Sequence, residues 1–175
     1  DLVSTKSYIL SKSGSNSLSI ELMPKTQVIN LSSLTFDSSF VVGSDAIIID
    51  GTNFAQALNI TGTIFNDEIT RTHNADDTIN SSEGDDTLSG RDGNDTLTPG
   101  NGEDHIIPGT GNDIINLTEE ISSRDTISYT VDDGASNVDI VSGFDVRLVD
   151  DIISLDVSEL TTPITLGNGT ATSTT

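Results

Sequence analysis

Residues 62–116 read GTIFNDEITRTHNADDTINSSEGDDTLSGRDGNDTLTPGNGEDHIIPGTGNDIIN. An aspartate followed two residues later by Ile or Leu recurs through this stretch: Asp67/Ile69, Asp77/Ile79, Asp86/Leu88, Asp95/Leu97, Asp104/Ile106 and Asp113/Ile115. The last five aspartates are nine residues apart without a slip, and the first gap is ten. A fixed short period is the signature of a repeat architecture, in which each unit buries its apolar face only against its neighbours.

Each nine-residue unit divides into a loop half and a strand half. Gly84, Gly93, Gly102 and Gly111 stand two residues before their aspartates. Glycine there suits a tight turn that needs positive φ. The residue just before the aspartate is Asn66, Asp76, Asp85, Asn94, Glu103 or Asn112, mostly types that tolerate turns. The following DTL, DTI or DII fits a short strand with its middle side chain turned inward. Turn, strand, turn, strand closes a flattened coil of two units, so each inward residue stacks on the one 18 residues away.

The pattern resembles the calcium-binding nonapeptide of the RTX (repeats-in-toxin) family, GGxGxDxUx with U a large apolar residue. The resemblance implies a parallel β-roll, a β-solenoid in which Asp carboxylates and turn carbonyls hold Ca²⁺ between successive turns on one side. Carried over by position, Asp77, Asp95 and Asp113 line one side and Asp67, Asp86 and Asp104 the other, with Gly84, Gly93, Gly102 and Gly111 shaping the turns. Ca²⁺ takes 6–8 oxygen ligands, carboxylates and carbonyls together, so one Asp per turn must be supplemented by main-chain oxygens. The leading glycine pair is degraded to Ser81-Ser82, Gly90-Arg91, Pro99-Gly100 and Pro108-Gly109, and Phe65 and Ala75 replace the third glycine in the first two units. The Asp67 and Asp77 turns are therefore expected to bind weakly or not at all, leaving about three or four sites of full quality. Plain solvated turns do not explain five aspartates in register with in-phase Ile or Leu. An EF-hand needs alternating acidic residues and a Glu at position twelve between helices, and no window supplies them. Oxygen-only ligation without cysteine argues against zinc or copper.

Composition agrees. There are 28 acidic against 7 basic residues, a net charge of −21, with fifteen acidic and three basic residues between positions 62 and 125. Such crowding opposes compaction unless cations neutralise it, and it argues against nucleic acid as a partner. No cysteine is present to stiffen the chain, and no apolar run approaches the length of a membrane span. The chain opens at Asp1 without an initiator methionine and shows no signal peptide, as expected of a fragment or processed product.

The repeats are flanked by β-rich sequence. Residues 1–61 offer short strands at Tyr8–Leu10, Leu18–Leu22, Val28–Leu31, Leu34–Phe36, Phe40–Val42, Ile47–Ile49 and Leu58–Ile60. They read as a β-sandwich or, since they run into the first Asp unit without a linker, as a solenoid or cap packed on it. Asn53–Leu58 allows at most one helical turn. Beyond Asn116, Leu117–Ser123 reads as an inserted loop containing Glu119 and Glu120. Asp125-Thr126-Ile127 then restores the signature as one more coil with a longer turn, making Asp125 a further candidate ligand. Residues 133–160 resemble the segment that follows the repeats in many RTX proteins. There Phe144 and Ile153 are expected to plug the core, while Asp139 and Asp151 fit a strand edge or a ligand equally. Residues 162–175 are expected to form a last strand and a loose tail. The division is thus 1–61, an N-terminal β-solenoid or cap; 62–128, the calcium-binding β-roll; and 129–175, a capping segment and tail.

No catalytic constellation is visible. HExxH, GxSxG and P-loop patterns are missing. His73 and His105 stand inside repeats, and His105 takes a threonine place, so it is expected to face solvent. Asp76/Asp77 and Asp85/Asp86 point to different sides and do not make the carboxylate pair of a glycosidase. The sequence is therefore expected to be a non-catalytic module of a secreted bacterial cell-surface protein, S-layer or adhesin, binding several Ca²⁺ ions. The family resemblance implies type I secretion and folding on extracellular calcium. Self-assembly and a cell-surface polysaccharide remain open as partners, without nucleic acid or membrane insertion. The competing reading is the RTX tail of an exported enzyme or toxin with its catalytic part upstream. A carbohydrate-binding module is weakened by the absence of Trp and the presence of only two Tyr.

Overall fold

The computed structural model describes residues 9–10, 17–21, 28–32, 35–36, 40–42, 45–51, 56–71, 75–130, 138–145 and 151–155. Among them there is no helix. Among the described residues fifteen strands follow one another: β1 Ile9–Leu10, β2 Ser17–Glu21, β3 Val28–Asn30, β4 Thr35–Phe36, β5 Ala46–Gly51, β6 Asn59–Thr61, β7 Asn66–Arg71, β8 Thr78–Glu83, β9 Thr87–Asp92, β10 Thr96–Asn101, β11 His105–Thr110, β12 Ile114–Asn116, β13 Thr126–Tyr129, β14 Ile140–Ser142 and β15 Ile152–Leu155.

From β5 onward, successive strands alternate between two sheets. One runs β3-β6-β8-β10-β12-β14 and the other β2-β5-β7-β9-β11-β13-β15, while β1 pairs with β4 alone. Neighbours pair in parallel. Parallel neighbours require a crossover; here the strand in the opposite sheet is that crossover, which makes the chain a β-solenoid. The nine-residue period sets the register. Leu97 pairs with Ile79 and Ile115 in one sheet, and Ile106 with Leu88 in the other.

The core is two columns of single side chains. Ile29, Ile60, Ile79, Leu97 and Ile115 form one, and Ile49, Ile69, Leu88, Ile106 and Ile127 the other, each fully buried. Alternation along each strand leaves the flanking residues outward, as in the burial pattern of β8 to β11. Since one residue per strand supplies most of the apolar burial, each coil depends heavily on its neighbours.

The solenoid continues through both flanks. β5 and β6 join β7 and β8 directly, so the N-terminal strands are solenoid coils and not a sandwich. Phe40 and Phe65 meet edge to face at 5.6 Å, with Leu31 and Leu58 in the same core cluster. The strand expected at Phe40–Val42 is not formed, because Phe40 turns inward at a bend whose backbone is held by the Asp45 carboxylate through the Val41 N–H. At the other end Phe144 packs against the core. Ile153 does not plug it: it pairs with Ile127 yet is 49% exposed, because β15 is the last rung of its sheet among the described residues. The possible helical turn at Asn53, the histidine His73 and the tail at 162–175 lie outside the described residues.

The degraded glycine pairs leave a local cost. Ser82 and Arg91 stand where the repeat pattern has glycine and adopt φ of +86° and +67°, matching Gly100 and Gly109 at +108° and +97°. A side chain in the left-handed region costs roughly 1–2 kcal/mol. Replacing exposed Arg91 by glycine is therefore expected to raise stability by about 0.5–1 kcal/mol after the entropy cost of glycine. Denaturant titration in calcium checks this; an unchanged or lower midpoint contradicts it.

Candidate metal centre

Every repeat aspartate stands at the mouth of a strand. Asp77, Asp86, Asp95, Asp104, Asp113 and Asp125 immediately precede β8 to β13, and Asp67 is the second residue of β7. All seven are 1–2% exposed. The coil sorts them into two columns. Asp77, Asp95 and Asp113 stand on the turns entering one sheet, and Asp67, Asp86, Asp104 and Asp125 on those entering the other.

Within each column one carboxylate oxygen has a fixed duty. Asp86 Oδ1 accepts the main-chain N–H of Asp67 at 2.7 Å, Asp104 Oδ1 that of Asp86 at 2.7 Å, and Asp125 Oδ1 that of Asp104 at 3.1 Å. Opposite, Asp95 Oδ1 accepts from Asp77 and Asp113 Oδ1 from Asp95, both at 2.7 Å. The columns begin where the pattern fails below. Leu58 donates its N–H to Asp77 at 2.8 Å, and Ile47 occupies the register position of Asp67.

The second oxygen separates the turns. Asp86 Oδ2, Asp104 Oδ2 and Asp125 Oδ2 are buried with no hydrogen-bond partner. An orphaned, buried carboxylate oxygen is costly and calls for a partner such as an ion. Asp67 differs: Thr63 donates its N–H to Oδ2 at 2.7 Å and its hydroxyl to Oδ1 at 3.0 Å. The carboxylate of the first unit is thus occupied by its own turn.

The glycines shape the space around these oxygens. Gly84, Gly93, Gly102 and Gly111 all take positive φ, from 118° to 138°. A Cβ on Gly102 would collide with the Gly84 carbonyl oxygen of the coil below, and one on Gly90 with Asp95 Oδ2. Turn carbonyls and carboxylates are therefore stacked as closely as glycine permits. Among the described residues no group of three His, Cys, Asp or Glu side chains could hold a metal ion. The remaining oxygens of a coordination shell must come from the main chain. Carboxylate plus carbonyl without nitrogen or sulfur is a donor set for a hard cation, and Ca²⁺ fits it.

Electrostatics point the same way. Burial pushes the carboxyl of Asp67 up to about 7, Asp86 to about 9, Asp104 to about 8 and Asp125 to about 7, against the main-chain N–H bonds, and the hydroxyls of Thr63 at Asp67 and Ser81 at Asp86, that favour ionisation. Neighbouring carboxylates raise three of them further: Asp104 and Asp67 act on Asp86, Asp125 on Asp104, and Glu119 on both Asp104 and Asp125.

Three features go beyond the regular repeat. Asp139 Oδ1 accepts the Asp113 N–H at 2.8 Å and Asp151 Oδ1 the Asp125 N–H at 3.0 Å, so both extend the columns. The Asp-x-apolar phase of Asp139-Ile140-Val141 and Asp151-Ile152-Ile153 carried that signal. The residues before the aspartates form an outer row of bonds: Asp76 Oδ1 accepts the Asn94 N–H, Asn94 Oδ1 that of Asn112, and Asp85 Oδ1 that of Glu103. His105, expected to face solvent, is half-buried, and its Nε2 lies 2.8 Å from Ser128 Oγ on the next coil.

Fold and site together define a parallel β-solenoid whose turns are built to hold hard cations. The RTX calcium-binding nonapeptide repeat (4 copies) matches residues 73–106, so this stretch is similar to that repeat, and its described part, residues 75–106, coils as a parallel β-solenoid. The match takes in Asp77, Asp86, Asp95 and Asp104, while the carboxylate columns continue beyond it to Asp139 and Asp151. No match to a curated protein or to a solved structure was found.

These carboxyls fix the pH dependence of the metal-free fold. Their unfolded value is 3.8, so between about 4 and about 7–9 the folded chain holds protons that the unfolded chain has released. The stability they contribute is complete below that window and is lost as pH rises through it. In chelator, β-sheet circular dichroism is expected to be stronger at pH 5 than at pH 9; the reverse order contradicts this account of the buried carboxyls.

Proposed function

We propose that this chain is a non-catalytic structural module of an exported bacterial surface protein, of the S-layer or adhesin kind, that folds when it meets extracellular calcium. The observation that carries the reading is the pair of buried aspartate columns, in which Asp86, Asp104 and Asp125 each present an orphaned oxygen between stacked turns. At neutral pH these groups resist being buried in charged form, and a divalent ion removes that penalty by letting them ionise in place. A site assembled only by stacking couples ion binding to folding. Extracellular modules bind calcium at roughly 10⁻⁴–10⁻³ M, far above cytosolic levels, so the cation distinguishes the two sides of the envelope. By resemblance to the RTX family we take export to run through a type I system, and such coupling would keep the chain unfolded on the way.

The outer faces support a scaffold role. Thr78, Thr96 and Ile114 form one outward row and Thr87, His105 and Thr126 another, on faces with few aromatics. Such short polar and aliphatic rows suit lateral packing of copies or a polysaccharide better than chemistry on a small substrate. Among the described residues no helix is long and apolar enough to cross a membrane.

Far-ultraviolet circular dichroism at neutral pH tests the coupling. The chelated chain is expected to show a largely disordered spectrum and to gain β signal as calcium is added through the millimolar range. A spectrum that is β-rich and indifferent to calcium contradicts metal-coupled folding.

A further inference from the structure

The column that runs through Asp67, Asp86, Asp104, Asp125 and Asp151 repeats one bond and divides on another. At each step a carboxylate oxygen of the upper aspartate accepts the N–H of the one below, at 2.7 to 3.1 Å. The remaining oxygen sorts the residues. On Asp86, Asp104 and Asp125 it is buried with no hydrogen-bond partner. On the two end members it is taken.

At the lower end Thr63 donates its N–H to Asp67 Oδ2 at 2.7 Å and its hydroxyl to Oδ1 at 3.0 Å. At the upper end Asp145 donates its N–H to Asp151 Oδ2 at 2.7 Å, and Asp151 returns its own N–H to the Asp145 carbonyl at 2.9 Å. Asp145 is itself held from the side. Ser122 donates its hydroxyl to Asp145 Oδ2 at 3.1 Å, and the loop that carries Ser122 is fastened to Asn101 Oδ1 by the N–H groups of Glu120 and Ile121 at 2.9 and 3.3 Å. A main-chain N–H aimed at a carboxylate satisfies it with a charge-assisted bond. It also presents the positive end of its dipole where a cation would otherwise stand. Asp151 is in phase with the repeat aspartates, and the pattern Asp151-Ile152-Ile153 fits a ligand or a strand edge equally; the Asp145 bond separates the two.

We infer that Asp151 is an end stop and not a calcium ligand. The ion column is closed at both ends by donors from the protein's own turns, Thr63 at Asp67 and Asp145 at Asp151, and cations stand only at the orphaned carboxylates of Asp86, Asp104 and Asp125 between them. Asp145 is the positioning residue of the upper stop. The inference rests on the calcium-binding reading above and adds where the column ends. An exposed column end would offer an unsatisfied carboxylate at the last turn, which costs free energy unless something pairs with it. Here a fixed N–H does so, and β15 meets β13 in register directly after it.

Equilibrium dialysis of the full chain against saturating calcium at pH 7.5, followed by metal analysis, tests this by counting ions in Asp125→Asn and Asp151→Asn. Asparagine keeps an oxygen for the N–H of the coil below and removes the charge. Asp125→Asn is expected to carry one ion fewer than the unaltered chain, and Asp151→Asn the full number. An Asp151→Asn chain that carries one ion fewer overturns the inference and leaves the repeat sites standing. An Asp125→Asn chain that keeps every ion overturns it as well, because the contrast between the middle and the end of the column is then gone. Should Asp151→Asn not fold in calcium, Asp67→Asn at the other closed end carries the test: the full number supports the inference and a lost ion overturns it. An unaltered chain that takes up no calcium overturns the underlying reading too.

Discussion

Each coil of the solenoid is tied to the next by an aspartate whose one carboxylate oxygen receives the main-chain N–H of the aspartate below. This bond recurs from Asp67 to Asp151 on one side and from Asp77 to Asp139 on the other. It places a carboxyl group, stripped of water, at each turn. The main-chain N–H offsets part of that cost, and burial still outweighs it where the carboxyls rise to about 7–9. The geometry that orders the turns thus leaves carboxyls that ionise in place readily only when a cation offsets the cost.

The apolar core cannot absorb this by itself. It consists mainly of one Ile or Leu per strand, in two columns from Ile29 to Ile115 and from Ile49 to Ile127. A thin column rewards stacking but holds no coil in shape alone, as expected of a repeat protein in which each unit contacts only its neighbours. Where the chain departs from the motif, side chains take over the duty of the ion. Thr63 occupies the carboxylate of Asp67, and the Phe40–Phe65 pair fills the first coil. The N-terminal coils rest more on apolar packing and the middle coils on charge compensation.

Much of this was readable from residues 62–116. A nine-residue period with one apolar residue per unit dictates a two-sided coil, and Asp77 against Asp86 falls on opposite sides by counting alone. The N-terminal strands were visible as apolar bursts, but their register was not, because Ile29 pairs with Ile60 across a span with no period. The placement of the loop at 117–123 was hidden for a related reason: an inserted loop has no phase, and only folding shows that Asn101 fastens it through the Glu120 and Ile121 N–H groups. His105 looked solvent-facing because a period reports the side of the sheet and not the neighbour on the next coil, here Ser128. Ile153 kept its phase, yet its exposure depends on whether another rung follows, which no local pattern encodes.

The central claim is that the buried carboxylate columns are cation sites. Its most direct test is a crystal structure of the chain grown in calcium, with anomalous scattering used to locate the ions. Peaks are predicted between the successive turns of Asp86, Asp104 and Asp125 and of Asp95 and Asp113, within bonding distance of the carboxylates and turn carbonyls. Ordered, stacked turns with no anomalous density between them would contradict the account.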